Sequence, residues 1–181
     1  MNFIKTDIKD LLIIEPNVFG DNRGWFSETY NIENFKKEDI EITFIQDNHS
    51  YSAAKGVLRG LHFQNNPKAQ TKLVRCTKGR IWDVAVDLRR NSPTYLKWFG
   101  LELSAENHKM LLIPKGFAHG FVTLENNCEV QYKVDELYDK SLDRSIKYDD
   151  PQTGIDWPID DVILSEKDKN APLLKDSDVN F

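Results

Sequence analysis

Between Gly56 and Asp87 the chain reads GVLRGLHFQNNPKAQTKLVRCTKGRIWDVAVD, its densest run of residues able to do chemistry. His62 is the centre. Arg59 precedes it, and beyond the polar loop from Gln64 to Thr71 come Lys72 and Arg75, so an imidazole is bracketed by cations in what reads as a hairpin. This set suits an anionic substrate that carries an acidic carbon. Arginine matches phosphate oxygens with a planar fork, lysine acts as a point charge, and histidine takes a proton near neutral pH. Taken locally, the same residues also fit a solvated strand edge with a structural histidine.

Strand parity adds Tyr132. Alternate residues of a strand share a face, so Cys128, Val130, Tyr132 and Val134 point together and the tyrosine projects into the interior. Parity separates Arg59 from His62, which would face opposite sides of an unbroken strand. Gly60 supplies the place for a bulge that reunites them.

These residues need a scaffold, and the chain offers many short strands separated by Gly, Pro and Asn turns. Expected strands are Leu11 to Ile14, Trp25 to Tyr30, Ile42 to Gln46, Lys72 to Cys76, Ile81 to Leu88, Leu96 to Leu103, Met110 to Ile113, His119 to Leu124 and Cys128 to Val134. Thr77 to Arg80 reads as a hairpin turn with Gly79 free for positive φ. Asn31 is placed to cap a short helix through Lys37, with Ile32 and Phe35 on one face. Such a pattern predicts an antiparallel sandwich or barrel. From Leu137 onward the texture changes to Asp, Lys and Pro, with Ile155 to Pro158 as an aromatic anchor and Ser165 to Asp168 as a helix start. This part reads as an arm packed on the barrel, and residues 1–181 as a single domain large enough to hold its own core.

Composition narrows the partners. A net charge of -5 argues against nucleic acid, whose binders present a basic face, and no apolar run is long enough for a membrane span. The opening MNFIKTDIKD lacks the layout of a signal peptide, so the expectation is a cytoplasmic protein. Cys76 and Cys128 sit in expected strands, which favours buried thiols over a bridge.

The segment Ile113 to Phe121 contains Pro-x-Gly-x-x-His ending at His119, which resembles a conserved box of cupin barrels. In metal-binding cupins that histidine joins an earlier His-x-His pair, but here the earlier site reads His62-Phe63-Gln64, with an amide in place of the second ligand. The expectation is therefore no catalytic metal. Further segments extend the likeness: Val18 to Gly24, Gln46 to Ser50, Val57 to Gln64, Lys72 to Arg75, Asp83 to Asp87, Tyr132-Lys133, Gly154 to Pro158 and Ser165 to Asp168. Together, and in this order, they resemble the dTDP-4-dehydrorhamnose 3,5-epimerase family. The resemblance implies a mainly β, cupin-type antiparallel jelly-roll barrel with a few short helices, a homodimer, no cofactor, and a dTDP-linked 4-keto-6-deoxy sugar as substrate. It also implies a role in making the activated precursor of L-rhamnose for surface polysaccharide.

Carried over by position, the family's base falls on His62, its carboxylate partner on Asp168, its acid on Tyr132 and its enolate-stabilising lysine on Lys72. Nucleotide-sugar contacts fall on Arg23, Glu28, Gln46, Asn48, Arg59, Lys72, His119, Asp143 and Lys167, with Asp143 standing where the family has Glu. Phe19, Phe26 and Tyr138 are candidate stacking or packing contacts for the nucleotide. The chemistry agrees with the residue types. In a 4-keto sugar the hydrogens on C3 and C5 are both α to the carbonyl, so a base forms an enolate and an acid on the opposite face inverts the centre. Two alternatives stand beside this reading: an epimerase acting at only one of the two carbons or on a differently activated 4-keto sugar, and a non-catalytic sugar-binding cupin, which would keep the arginines and aromatics but has no need for His62, Lys72 and Tyr132 together.

Overall fold

The computed structural model describes residues 1–181 and is built almost entirely from antiparallel strands. In chain order these are β1 (Asn2–Lys5), β2 (Leu12–Glu15), β3 (Val18–Asp21), β4 (Gly24–Ser27), β5 (Gln46–Ser52), β6 (Leu58–Gln64) and β7 (Lys72–Lys78). They continue as β8 (Arg80–Asp87), β9 (Trp98–Ser104), β10 (Met110–Ile113), β11 (Phe117–Thr123), β12 (Cys128–Val134) and β13 (Asp143–Ser145). Two short helices, α1 (Ile32–Lys36) and α2 (Glu166–Lys169), complete the regular elements that matter for the site.

One sheet has six strands in the order β1-β2-β10-β7-β12-β5, and a second has five in the order β13-β6-β11-β8-β9. The interior between them is apolar because alternate residues of each strand point inward. Val74, Cys76, Leu111, Cys128 and Val130 of the first sheet meet Ile81, Ala85, Phe117 and Phe121 of the second. Each sheet also covers its outer face. Phe35 of α1 closes over Ile14, Leu73, Met110 and Leu112, while the C-terminal arm lays Ile146, Leu174, Trp157 and Phe181 on Leu61, Phe63, Val84 and Val86. This is the jelly-roll sandwich that the strand pattern and the family resemblance lead one to expect.

Several local expectations need correction. The turn at Gly79 does not close a hairpin: β7 pairs with β10 and β12, β8 pairs with β9 and β11, and the turn carries the chain from one sheet to the other. The same holds for β6 and β7, so His62 and Lys72 lie on facing sheets. Gly79 is required there by its φ of +72° and by Cys128, whose Sγ would lie 2.7 Å from an added Cβ. The strand expected from Trp25 to Tyr30 is only Gly24–Ser27, because it pairs solely with the four residues of β3. Ile42 to Ile45 are irregular and β5 starts at Gln46, where pairing with Val134 begins. In α1 the Asn31 cap forms as expected, accepting from the Glu33 amide, and Phe35 is buried, but Ile32 stays exposed at the first turn.

The apolar run Leu11 to Ile14 is absorbed within the chain, as β2 lies between β1 and β10 with Leu11 and Ile14 fully buried. Cys76 and Cys128 are free, buried thiols, and burial pushes Cys76 up to about 12, which keeps it protonated and unreactive. No helix is long and apolar enough to cross a membrane.

Candidate active site

A cavity of about 500 Å³ opens between the sheets and is closed on one side by the C-terminal arm. His62 reaches it through a bulge in β6. Arg59 pairs with Phe121 and His62 with His119, so Gly60 and Leu61 together oppose Gly120 alone. The extra residue reverses the parity of the strand, and Arg59 and His62 line the same cavity. Glycine is needed at this point: Gly60 has φ +141°, and a Cβ on it would lie 2.5 Å from Gly120 Cα.

His62 Nε2 lies 2.5 Å from Asp168 Oδ1. Asp168 is buried in the first turn of α2, where the N-cap Ser165 accepts from the Asp168 amide and donates its hydroxyl to Asp168 Oδ2 at 2.8 Å. Burial acts to raise the Asp168 carboxyl, but the hydrogen bonds from His62 and Ser165 and the charge of Lys167 outweigh it and hold the group below the usual carboxylate value. An ionised Asp168 accepts from Nε2–H, which leaves Nδ1 as the basic nitrogen of a neutral imidazole.

Across the cavity stand Lys72 on β7 and Tyr132 on β12, both carried by the six-stranded sheet. Tyr132 points inward as parity requires and packs against the central core. Burial raises its hydroxyl above the ordinary tyrosine value, although the Arg59 charge works against this. Lys72 is buried, its ammonium contacting only the His62 carbonyl, at 3.4 Å. Burial lowers it to about 8, against the opposing effect of Asp83 and Asp143. An imidazole and a phenol thus sit on facing walls, with a lysine beside them. Val57, Leu58, Phe121, Ile163 and Leu164 supply apolar lining.

Of the remaining candidates, Arg59, His119, Asp143 and Lys167 also line this cavity. Arg59 is held by Ser52 Oγ at 3.2 Å and the Tyr51 carbonyl at 3.0 Å. Lys167 and Asp143 pair at 2.6 Å near Tyr138, whose hydroxyl donates to the same carboxylate at 3.3 Å. The shorter Asp143 side chain therefore still reaches its neighbours. His119 Nε2 is 2.8 Å from the buried Asp83. Gln64, at the position of the missing metal ligand, has its amide fully engaged: it donates to the Lys68 and Leu137 carbonyls and accepts from the Asp139 amide. It clamps the loop that presents Tyr138.

Four candidates are not brought to the cavity within this chain. Arg23 pairs with Asp21 at 2.6 Å on the exposed β3–β4 hairpin, and Glu28 accepts from Asn31 and Asn34 at the start of α1. Gln46 and Asn48 bond each other on the edge strand β5, although Asn48 is the register partner of Tyr132. Arg75 does not bracket His62 either. Three residues from Lys72 on an unbroken strand, it faces the opposite side of the sheet and donates to Gln131 at 2.7 Å. Phe19 and Phe26 lie exposed on the hairpin, whereas Tyr138 lines the cavity.

The sequence reading missed Ser50, Ser165 and Asp83. Ser50 lines the cavity with its buried hydroxyl unpartnered, a position that follows from the alternation Gln46, Asn48, Ser50. Ser165 was visible as a helix cap, but its bond to the Asp168 carboxylate was not.

The family model for dTDP-4-dehydrorhamnose 3,5-epimerase matches residues 5–176. The chain belongs to that family. A dTDP-4-dehydrorhamnose 3,5-epimerase of Shigella flexneri is 51% identical over 179 residues, covering 98% of each chain. Among solved structures, the Bacillus anthracis enzyme with TDP and pyrophosphate bound superposes with a TM-score of 0.93 at 50% identity, covering 96% of this chain and 99% of its own. The Legionella pneumophila enzyme in complex with dTDP-4-keto-L-rhamnose gives a TM-score of 0.92 at 46% identity, covering 96% and 93%. As a member of the family this chain is an isomerase with a cupin-like jelly roll.

Proposed function

We propose that this protein inverts C3 and C5 of dTDP-4-dehydro-6-deoxy-D-glucose, giving dTDP-4-dehydro-L-rhamnose, and that it does so with its own side chains. The observation that carries this reading is the placement of His62 and Tyr132 on facing sheets of one cavity. Epimerisation needs a proton removed from one face of a carbon and returned to the other, and a base and an acid on opposite walls meet that need.

In this mechanism Asp168 holds His62 with its proton on Nε2, so Nδ1 accepts the hydrogen from the carbon α to the C4 carbonyl. The pair then becomes an imidazolium beside a carboxylate, an arrangement favoured by their 2.5 Å contact. Negative charge develops on the C4 oxygen, where the Lys72 ammonium stabilises it. Tyr132 delivers a proton to the opposite face. A buried phenol of raised pKa is a weak acid, but an enolate carbon is basic enough to take its proton. Arg59 and Lys167 hold the diphosphate, and Tyr138 stacks on the base.

The second element of the reading is a homodimer. Phe19, Trp25 and Phe26 are 62%, 62% and 68% exposed on the β3–β4 hairpin, an apolar surface that a lone chain leaves in water. Arg23 and Glu28 act at a substrate only if that hairpin meets a second cavity. The function is tested by incubating the protein with dTDP-4-dehydro-6-deoxy-D-glucose in deuterated water and following C3 and C5 by NMR. Deuterium at both carbons of an inverted sugar supports the reading. Label at one carbon alone makes it a single-site epimerase, and binding without exchange makes it a sugar-binding protein.

A further inference from the structure

Asp83 is a charge in an apolar core. It lies on β8 with no exposed surface, facing Phe121 of β11 and Leu101 of β9 across the sheet. An isolated carboxylate in such a place is strongly disfavoured, so its partners should be close and purposeful. One oxygen, Oδ1, is 2.8 Å from His119 Nε2. The other, Oδ2, is buried with no hydrogen-bond partner. The Lys72 ammonium, which lines the active-site cavity together with His119, is under-supplied in the opposite sense, with donors to spare and one long contact to the His62 carbonyl.

We propose that Asp83 is a positioning residue for the reaction, fixing His119 as the Nε2-protonated imidazole through one oxygen and giving the Lys72 ammonium its buried counter-charge through the other. His119 then presents Nδ1 as an acceptor to a substrate hydroxyl, while Lys72 stays cationic where the enolate oxygen forms. The groups that face Lys72 are His62 and its carbonyl from β6, His119 from β11, Tyr132 from β12, Asp143 from β13 and Lys167 from α2. Asp83 and Asp143 are the two carboxylates that favour the charged lysine, and Asp143 already shares its charge with Lys167 at 2.6 Å. Burial lowers His119 below the ordinary histidine value, with Asp83 opposing, so the ring is neutral at pH 7 and its tautomer is set by that contact. The inference rests on the epimerase reading of Lys72 and His119.

The test combines Asp83→Asn with a measurement on the unaltered protein. Removing the carboxylate charge withdraws an effect that raises Lys72, so the alkaline limb of the kcat/KM profile, expected near pH 8 for the unaltered protein, should move to lower pH. At pH 7.5 kcat should fall at least about tenfold, with dTDP affinity unchanged. An unchanged alkaline limb and kcat in a folded Asp83→Asn protein would overturn the inference, as would loss of dTDP binding in step with kcat. Nitrogen-15 NMR of the unaltered protein reads the His119 tautomer independently of any variant. Nε2 protonation at pH 7.5 is expected, and Nδ1 protonation would overturn the inference even if Asp83→Asn failed to fold. If the unaltered protein does not turn over the sugar, it is the epimerase reading that fails, and the tautomer measurement still stands.

Discussion

Asp168 Oδ1 sits 2.5 Å from His62 Nε2 while Asp168 Oδ2 accepts the hydroxyl of its own helix cap, Ser165. The carboxylate is thus aimed at the imidazole from two directions: α2 fixes its backbone and Ser165 fixes its plane. Exchanging Asp168 for Asn keeps the shape but offers an amide whose NH₂ side would oppose Nε2–H. About a hundredfold to ten-thousandfold loss in kcat is expected, with near-normal dTDP binding, measured by steady-state kinetics and calorimetry. Full activity of Asp168→Asn would remove the carboxylate from the mechanism.

Lys72 is expected to set the alkaline limit of activity. Its value of about 8 lies well below that of a free lysine, so its charge is lost as pH rises through that range. A kcat/KM that falls above about pH 8 is expected, and Lys72→Arg, which keeps its charge, should abolish that limb whatever it does to the rate. A limb that survives in Lys72→Arg would have to belong to another group.

Stability in acid follows from Asp168 with the opposite sign. Its folded value lies below the ordinary carboxylate value of 3.8, so its contribution is complete above that pH and is lost as pH falls through the lower folded value. Thermal melts of the unaltered protein and Asp168→Asn should therefore differ at neutral pH and converge as the pH falls below 3.8. A constant gap across that range would show that the carboxylate does not stabilise the fold by this route.

Chelation tests the role of Gln64. Its amide oxygen accepts from Asp139 and its nitrogen donates to two carbonyls, so it is committed to the Tyr138 loop. Activity should survive EDTA. Loss restored by one specific divalent ion would show a metal site and a different electrophile.

Assembly is read from mass. Light scattering at micromolar concentration should give a dimer, and replacing Phe19 and Phe26 with Ser should weaken both the dimer and dTDP binding. A monomer that is fully active would remove the hairpin from the site.

Much of this arrangement was legible in the residues. The inward parity of Tyr132 held because β12 is regular through the cavity, and the Gly60 bulge was foreseen because Arg59 and His62 could not otherwise share a face. Arg75 was misplaced because sequence proximity to Lys72 hides a reversal of face. The supposed hairpin at Gly79 failed for a related reason: a tight turn looks the same whether it joins paired neighbours or passes between sheets, and only the long-range pairing of β7 with β12 decides. Asp83 was invisible as a site residue because its partner His119 lies on β11, brought to it by tertiary structure alone. Family likeness supplied Arg23 and Glu28, which the single chain holds outside the cavity.

The division of labour between His62 and Tyr132 is the centre of the account, and Tyr132→Phe in deuterated water tests it most directly. That variant keeps the base and the apolar shape but lacks the proton donor on the facing wall. NMR should show the substrate's own hydrogen exchanging for deuterium through His62 with retention, while inverted product forms at least about a hundredfold more slowly. Inversion at the rate of the unaltered protein would contradict the account, because the proton would then reach the opposite face without the tyrosine.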